Sequence, residues 1–183
     1  NIPSGSMEDT LLVGDYLLVS KYAYGYSQYS FPFSPNIFDG RVFGRAPERG
    51  DVAVFKTPLD NRTDFIKRVI GLPGDRIQMI AGALYINGEQ VQRERLSDVM
   101  HDQGLGRMAL TARWQETLPN GRTYETLDLT QNGGADNTPV FEVPEGYYFM
   151  MGDNRDNSLD SRVATNRGGV GFVPFENFVG RAE

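Results

Sequence analysis

Reactive side chains gather in three stretches of the chain. Ser4-Gly5-Ser6 follows Pro3 and puts hydroxyls on a turn where Gly5 lets another backbone come close. Lys67 and Arg68 sit side by side in Phe65-Ile66-Lys67-Arg68-Val69-Ile70, ahead of Gly71-Leu72-Pro73-Gly74-Asp75. The third, Gly152 to Arg162, packs three Asp, two Arg and two Asn into eleven residues. A serine oxygen attacks a carbonyl only when a neighbouring base takes its proton. In strand alternation Lys67 shares a face with Phe65 and Val69, and Arg68 shares the other with Ile66 and Ile70. Burial disfavours the ammonium and brings a lysine from about 10.4 toward 7 to 8, where the neutral amine is a base. Two plainer readings stand beside this one: Ser6 as the N-cap of a short helix, and Lys67 as a snorkelling surface cation.

Other chemistries fit the residues worse. With no Cys and a single His, His101, the chain has neither a thiol site nor a zinc set, and a Ser-His-Asp triad would have to recruit that one histidine. Counted from Asp153, an EF-hand would need Gly and a carboxylate where Ser158 and Ala164 stand. Gly71 to Asp75 is no phosphate loop, since no Gly-Lys-Ser/Thr follows. Interleaved Asp and Arg in the third stretch suit ion pairs that fix a loop's shape. A hydrolase built from this inventory is a Ser-Lys enzyme without cofactor or metal.

The elements that must hold these groups are strands. The 183 residues are enough for one domain or two small lobes, and 21 Gly with 10 Pro imply many turns. Period-two patterns predict short strands at Asp15–Ser20, Asp51–Lys56, Phe65–Ile70, Arg76–Ile80, Leu84–Ile86 and Tyr147–Met150, with a type I′ hairpin at Asn87-Gly88. The fold expected is mainly β, antiparallel, with few short helices, one of them near Glu8–Val13. The catalytic β core is expected over 1–80 and 144–183, and 81–143, where the character changes, forms an inserted second lobe. A net charge of −6 argues against nucleic acid as a partner. The longest apolar run, Tyr147 to Met151, is far short of a membrane span, which needs about 20 residues.

In order and spacing, the three stretches, with Glu48-Arg49-Gly50-Asp51-Val52-Ala53-Val54-Phe55 as a fourth, resemble the motifs of the bacterial type I signal peptidases, Ser-Lys proteases that remove signal peptides from exported proteins. The resemblance implies Ser6 as nucleophile, Lys67 as general base, and the Ser4 hydroxyl beside the Ser6 N–H as oxyanion hole. It implies Ser158 as the serine that orients the lysine, and Arg68 with Asp153 and Asp160 with Arg162 as supporting ion pairs. Phe55, Phe65 and Met150 would keep the amine dry, while Ile2, Pro3, Met7, Leu11, Phe65 and Ile66 would wall the pocket for an Ala-X-Ala substrate. It further implies signal peptides of preproteins as partners and a catalytic domain on the outer, periplasmic face of the cytoplasmic membrane. An N-terminal anchor is then expected ahead of Asn1, with the aromatic stretch Tyr22–Phe38 a second candidate for bilayer contact. The chain departs from the motif at Asp9 and at Leu159, where a bulky side chain is expected to crowd the lysine. Two other classes fit parts of the pattern: a self-cleaving Ser-Lys protease, and a β-rich binding module in which serine and lysine are structural.

Overall fold

The structure is a computed structural model and describes residues 5–7, 18–25, 45–102, 106–130 and 132–182. Among these, regular structure is almost entirely antiparallel strand. Six strands form the main sheet: β1 (Val19–Ser20), β2 (Val52–Lys56), β3 (Asp64–Gly71), β12 (Tyr147–Met151), β13 (Phe172–Pro174) and β14 (Phe178–Ala182). Their order is β1-β14-β2-β3-β12-β13, which puts β3 in the middle.

The sheet is covered on both faces, so β3 reads as an almost unbroken buried run. On one face Val69 packs with Ala53, Phe55, Met150 and Phe178. On the other, Ile70 packs with Phe149 and Met151, and also with Ile77, Leu84, Val91, Leu118 and Tyr124 from outside the sheet. Phe55, Phe149 and Phe178 have no exposed surface, and full burial of such a side chain stabilises by about 1.5–3 kcal/mol. A register shift between Phe149 and Met150, opposite Gly71 and Val69, marks a bulge where β3 bends.

Between β3 and β12 the chain builds two smaller sheets. One is β11 (Phe141–Glu142), β4 (Arg76–Ile80), β5 (Ala83–Ile86) and β6 (Glu89–Gln90), in that spatial order. Asn87 and Gly88, at φ 55° and 84°, make the turn from β5 to β6, as a hairpin with two left-handed positions requires. The other sheet is centred on β9 (Met108–Thr117). β10 (Thr123–Asp128) pairs along one side, and β7 (Gln92–Arg95) then β8 (Val99–Asp102) along the other. These strands were not foreseen: Met108–Thr117 alternates poorly, and half-burial along its length blurs the period. The helix expected near Glu8–Val13, the first half of Asp15–Ser20 and the aromatic segment beyond Gly25 lie outside the described residues.

Candidate active site

Ser6 sits in a 3-10 turn, Gly5–Met7. Its carbonyl accepts a hydrogen bond from the Asn154 N–H at 3.0 Å, which ties the turn to the loop after β12. Lys67 projects from β3, whose register places it opposite Ala53 of β2. The two side chains come from positions 61 residues apart, yet Lys67 Nζ and Ser6 Oγ are hydrogen-bonded at 2.5 Å. Nζ also donates to the Ile66 carbonyl at 3.1 Å and lies 5.3 Å from the Phe65 ring centroid. Lys67 is 2% exposed and Ser6 5%. Phe55 lies opposite Phe65, and Met150 opposite Val69, so both belong to the lysine's side of the sheet.

Burial pushes the Lys67 ammonium down from 10.5 to about 8. Asp160 and Asp153 pull the other way, and Arg162 adds to the lowering. Both carboxylates carry their own counter-ion. Arg68 grips Asp153 through Nε at 2.9 Å and Nη2 at 2.7 Å and donates to the Gly50 carbonyl at 2.8 Å. Arg162 grips Asp160 through Nε at 3.0 Å and Nη2 at 2.9 Å. Burial opposes ionisation of Asp160, but Arg162 and the N–H groups of Gly152 and Arg162 hold its carboxyl below the usual carboxylate range. Such bidentate pairs fix direction as well as charge.

The loop from Gly152 to Arg162 is cinched at its base: Met150 N–H donates to Ser161 Oγ at 2.8 Å, and Ser161 N–H to the Met150 carbonyl at 2.9 Å. Gly152 faces both Ser158 and the Ser6 carbonyl, and a Cβ there would lie 2.6 Å from that carbonyl oxygen. Only glycine allows the turn and the loop to lie so close.

A cavity of about 560 Å³ opens over Ser6 and Lys67, lined also by Thr63, Asp64, Phe65, Ile66 and the segment Asp156 to Leu159. Of the expected walls, Phe65 and Ile66 line it. Met7 does not: it has no exposed surface, because a 3-10 turn rotates consecutive side chains by about 120°. Ile2, Pro3, Leu11 and the expected oxyanion donor Ser4 lie outside the described residues, as does Asp9. Ser158 lines the cavity, and among the described residues its buried Oγ, packed against Gly152, has no hydrogen-bond partner. Leu159 is 53% exposed at the cavity wall. Sequence reasoning missed Asn154 as the group holding Ser6, and the buried Arg155–Glu116–Tyr124 cluster behind it. Asn154 and Arg155 lay inside the third motif and carried a signal; Glu116 and Tyr124 carried none.

A serine hydroxyl bonded to a dry lysine amine at a cleft in an antiparallel β protein is an arrangement able to support serine hydrolase chemistry. The family described as signal peptidase, peptidase S26, matches residues 1–183, and the chain belongs to it. Signal peptidase I of Rickettsia typhi is 48% identical over 191 residues, covering 100% of this chain and 69% of its own. That of Rickettsia conorii is 47% identical over 192 residues, covering 100% and 68%. A solved signal peptidase I from Enterococcus faecalis is 26% identical and covers 75% of this chain and 97% of its own, with a TM-score of 0.42.

Proposed function

We propose that the chain is the catalytic portion of a serine endopeptidase that cleaves signal peptides from exported preproteins after Ala-X-Ala-type sites. The observation that carries this reading is the 2.5 Å contact between Ser6 Oγ and an amine lowered to about 8 by burial. Neutral Lys67 accepts the Ser6 proton as Oγ bonds to the scissile carbonyl carbon, and the carbonyl electrons move onto its oxygen. The Ser6 N–H and the Ser4 hydroxyl stabilise that oxyanion. When the intermediate collapses, the C–N bond breaks and Lys67 returns the proton to the leaving amine, leaving an acyl-enzyme on Ser6. Water then attacks with Lys67 taking its proton, and collapse releases the carboxyl product and restores the Ser6 hydroxyl.

Small residues before the scissile bond follow from a cleft walled by Phe65 and Ile66 and shared with Asp156, Asn157 and Leu159. Among the described residues, 64–67 of β3 continue past the last residue paired with β12, and this edge is where we place an extended substrate. Residues 1–80 and 144–183 would form the catalytic core and 81–143 an inserted lobe. We place the domain on the outer face of a bacterial cytoplasmic membrane. Among the described residues no helix is long and apolar enough to cross a membrane. Ser6→Ala and Lys67→Ala are each expected to lose all measurable cleavage of a preprotein while the far-UV spectrum is kept; turnover retained in either removes the mechanism. Peptides with Ala at P1 should be cleaved at least a hundredfold faster than those with Leu, and equal rates would refute the pocket assignment.

A further inference from the structure

We propose that Glu116 and Tyr124, both in the segment 81–143, are positioning residues for the nucleophile. This rests on the reading of Ser6 as that nucleophile. Glu116 on β9 and Tyr124 on β10 stand directly opposite each other in the ladder. The Tyr124 hydroxyl donates to Glu116 Oε2 at 2.5 Å. Arg155 reaches both: Nη2 donates to Glu116 Oε2 at 2.5 Å and to the Tyr124 hydroxyl at 3.0 Å, and Nη1 donates to Glu116 Oε1 at 3.2 Å. All three side chains are buried. Arg68, the partner of Asp153, stacks on the Tyr124 ring, its Cζ 4.4 Å from the ring centroid.

The backbone next to Arg155 leads straight to the nucleophile. Leu127 N–H, three residues beyond Tyr124 on the same strand, donates to the Asp153 carbonyl at 3.0 Å, and Leu127 and Asn154 form a parallel bridge. Asn154 N–H then donates to the Ser6 carbonyl. The Arg155 carbonyl is held in turn by Arg162 Nη2 at 2.5 Å. Three apolar side chains of similar volume would give comparable stability, since burying ions costs desolvation. What the ionic cluster adds is aim: a bidentate guanidinium fixes where residues 153–155 lie. Lys67 is set by β3, and Ser6 by the loop, so the register between them is decided where the 81–143 segment grips Arg155. A misplacement of about 1 Å at a reacting atom costs on the order of a hundredfold in rate.

The test uses the full chain with Tyr124→Phe, Glu116→Gln, and the double variant Glu116→Leu/Arg155→Leu, which leaves no charge buried alone. On a signal-peptide substrate, kcat should fall at least tenfold in the folded double variant, with KM within twofold and the acid limb of the pH profile unmoved. Amide hydrogen exchange at Leu127 and Asn154 should accelerate at least tenfold while Val69 and Val91, bonded elsewhere, stay protected. Tyr124→Phe and Glu116→Gln should show smaller changes in the same direction. A double variant with kcat within twofold of the parent, or exchange accelerated uniformly across all four amides, overturns the proposal. If the unmodified chain cleaves no signal peptide, the functional reading fails, while the exchange pattern still decides whether this cluster holds the Ser6 loop.

Discussion

Replacing Lys67 by methionine should stabilise the protein as it abolishes activity, and by an amount that depends on pH. The unfolded chain holds the lysine proton up to about 10.5, whereas the fold gives it up near 8. Between those values the unfolded state binds more protons, so stability rises with pH through that window. Below 8 the full penalty of burying the ammonium is present: a gap from 10.5 to about 8 corresponds to about 3 kcal/mol. Lys67 is 2% exposed, so solvent screens little of it. Lys67→Met keeps the unbranched shape and removes the ionisable group, so at pH 6 it should exceed the parent by about 3 kcal/mol, or roughly 6–12 °C in Tm for a chain of this size. By pH 10.5 that part of the difference should have all but vanished, leaving the contribution of the apolar side chain. Urea unfolding of both proteins at pH 6, 8 and 10 measures it. A stability difference flat across that range, or a methionine variant less stable at pH 6, would refute the argument that a dry pocket holds the amine neutral. The same titration should appear as the acid limb of kcat/KM, falling tenfold for each pH unit well below 8.

Two further substitutions probe the loop that carries the site. Gly152→Ala should lose activity and about 1–3 kcal/mol of stability, because its Cβ would meet the Ser6 carbonyl at 2.6 Å; full activity in this variant would contradict the close approach. Asp160→Asn leaves Arg162 buried without its counter-charge, so a loss of about 3–5 kcal/mol is expected in chemical denaturation. Because Asp160 raises the lysine's proton affinity, the acid limb of the same variant should move below 8; a shift upward would mean that the sign assigned to this carboxylate is wrong.

The β class and the central strands were legible before any coordinates, since each rests on local information, whereas the pairing of Ser6 with Lys67 came from the family resemblance. Phe65 to Ile70 shows its faces by alternation, Asn87-Gly88 shows its turn by a conformation few other residues adopt, and the Asp-Arg spacing after Gly152 shows its ion pairs. Segments with mixed exposure such as Met108–Thr117 were not legible, because half-burial gives neither an alternating nor a continuous apolar pattern. Nor was Met7, whose membership in the first motif said nothing about which way a 3-10 turn would point it. Ser158 differs again: its place at the cavity follows from the motif, but the rotamer of its hydroxyl depends on the space left by Gly152.

From composition and spacing alone, the chain offers its serine no thiol and a single imidazole, His101, which leaves an amine as the readiest partner. That this amine gives up its proton near 8 instead of 10.5, within 2.5 Å of the hydroxyl, is a tertiary matter. Desolvation is a property of what surrounds a group in three dimensions, and here the surroundings come from β2, β3, β12 and the Gly152 loop. The same holds for Glu116 and Tyr124. A glutamate and a tyrosine eight residues apart mean little in sequence, and meet Arg155 only once β9 and β10 pair.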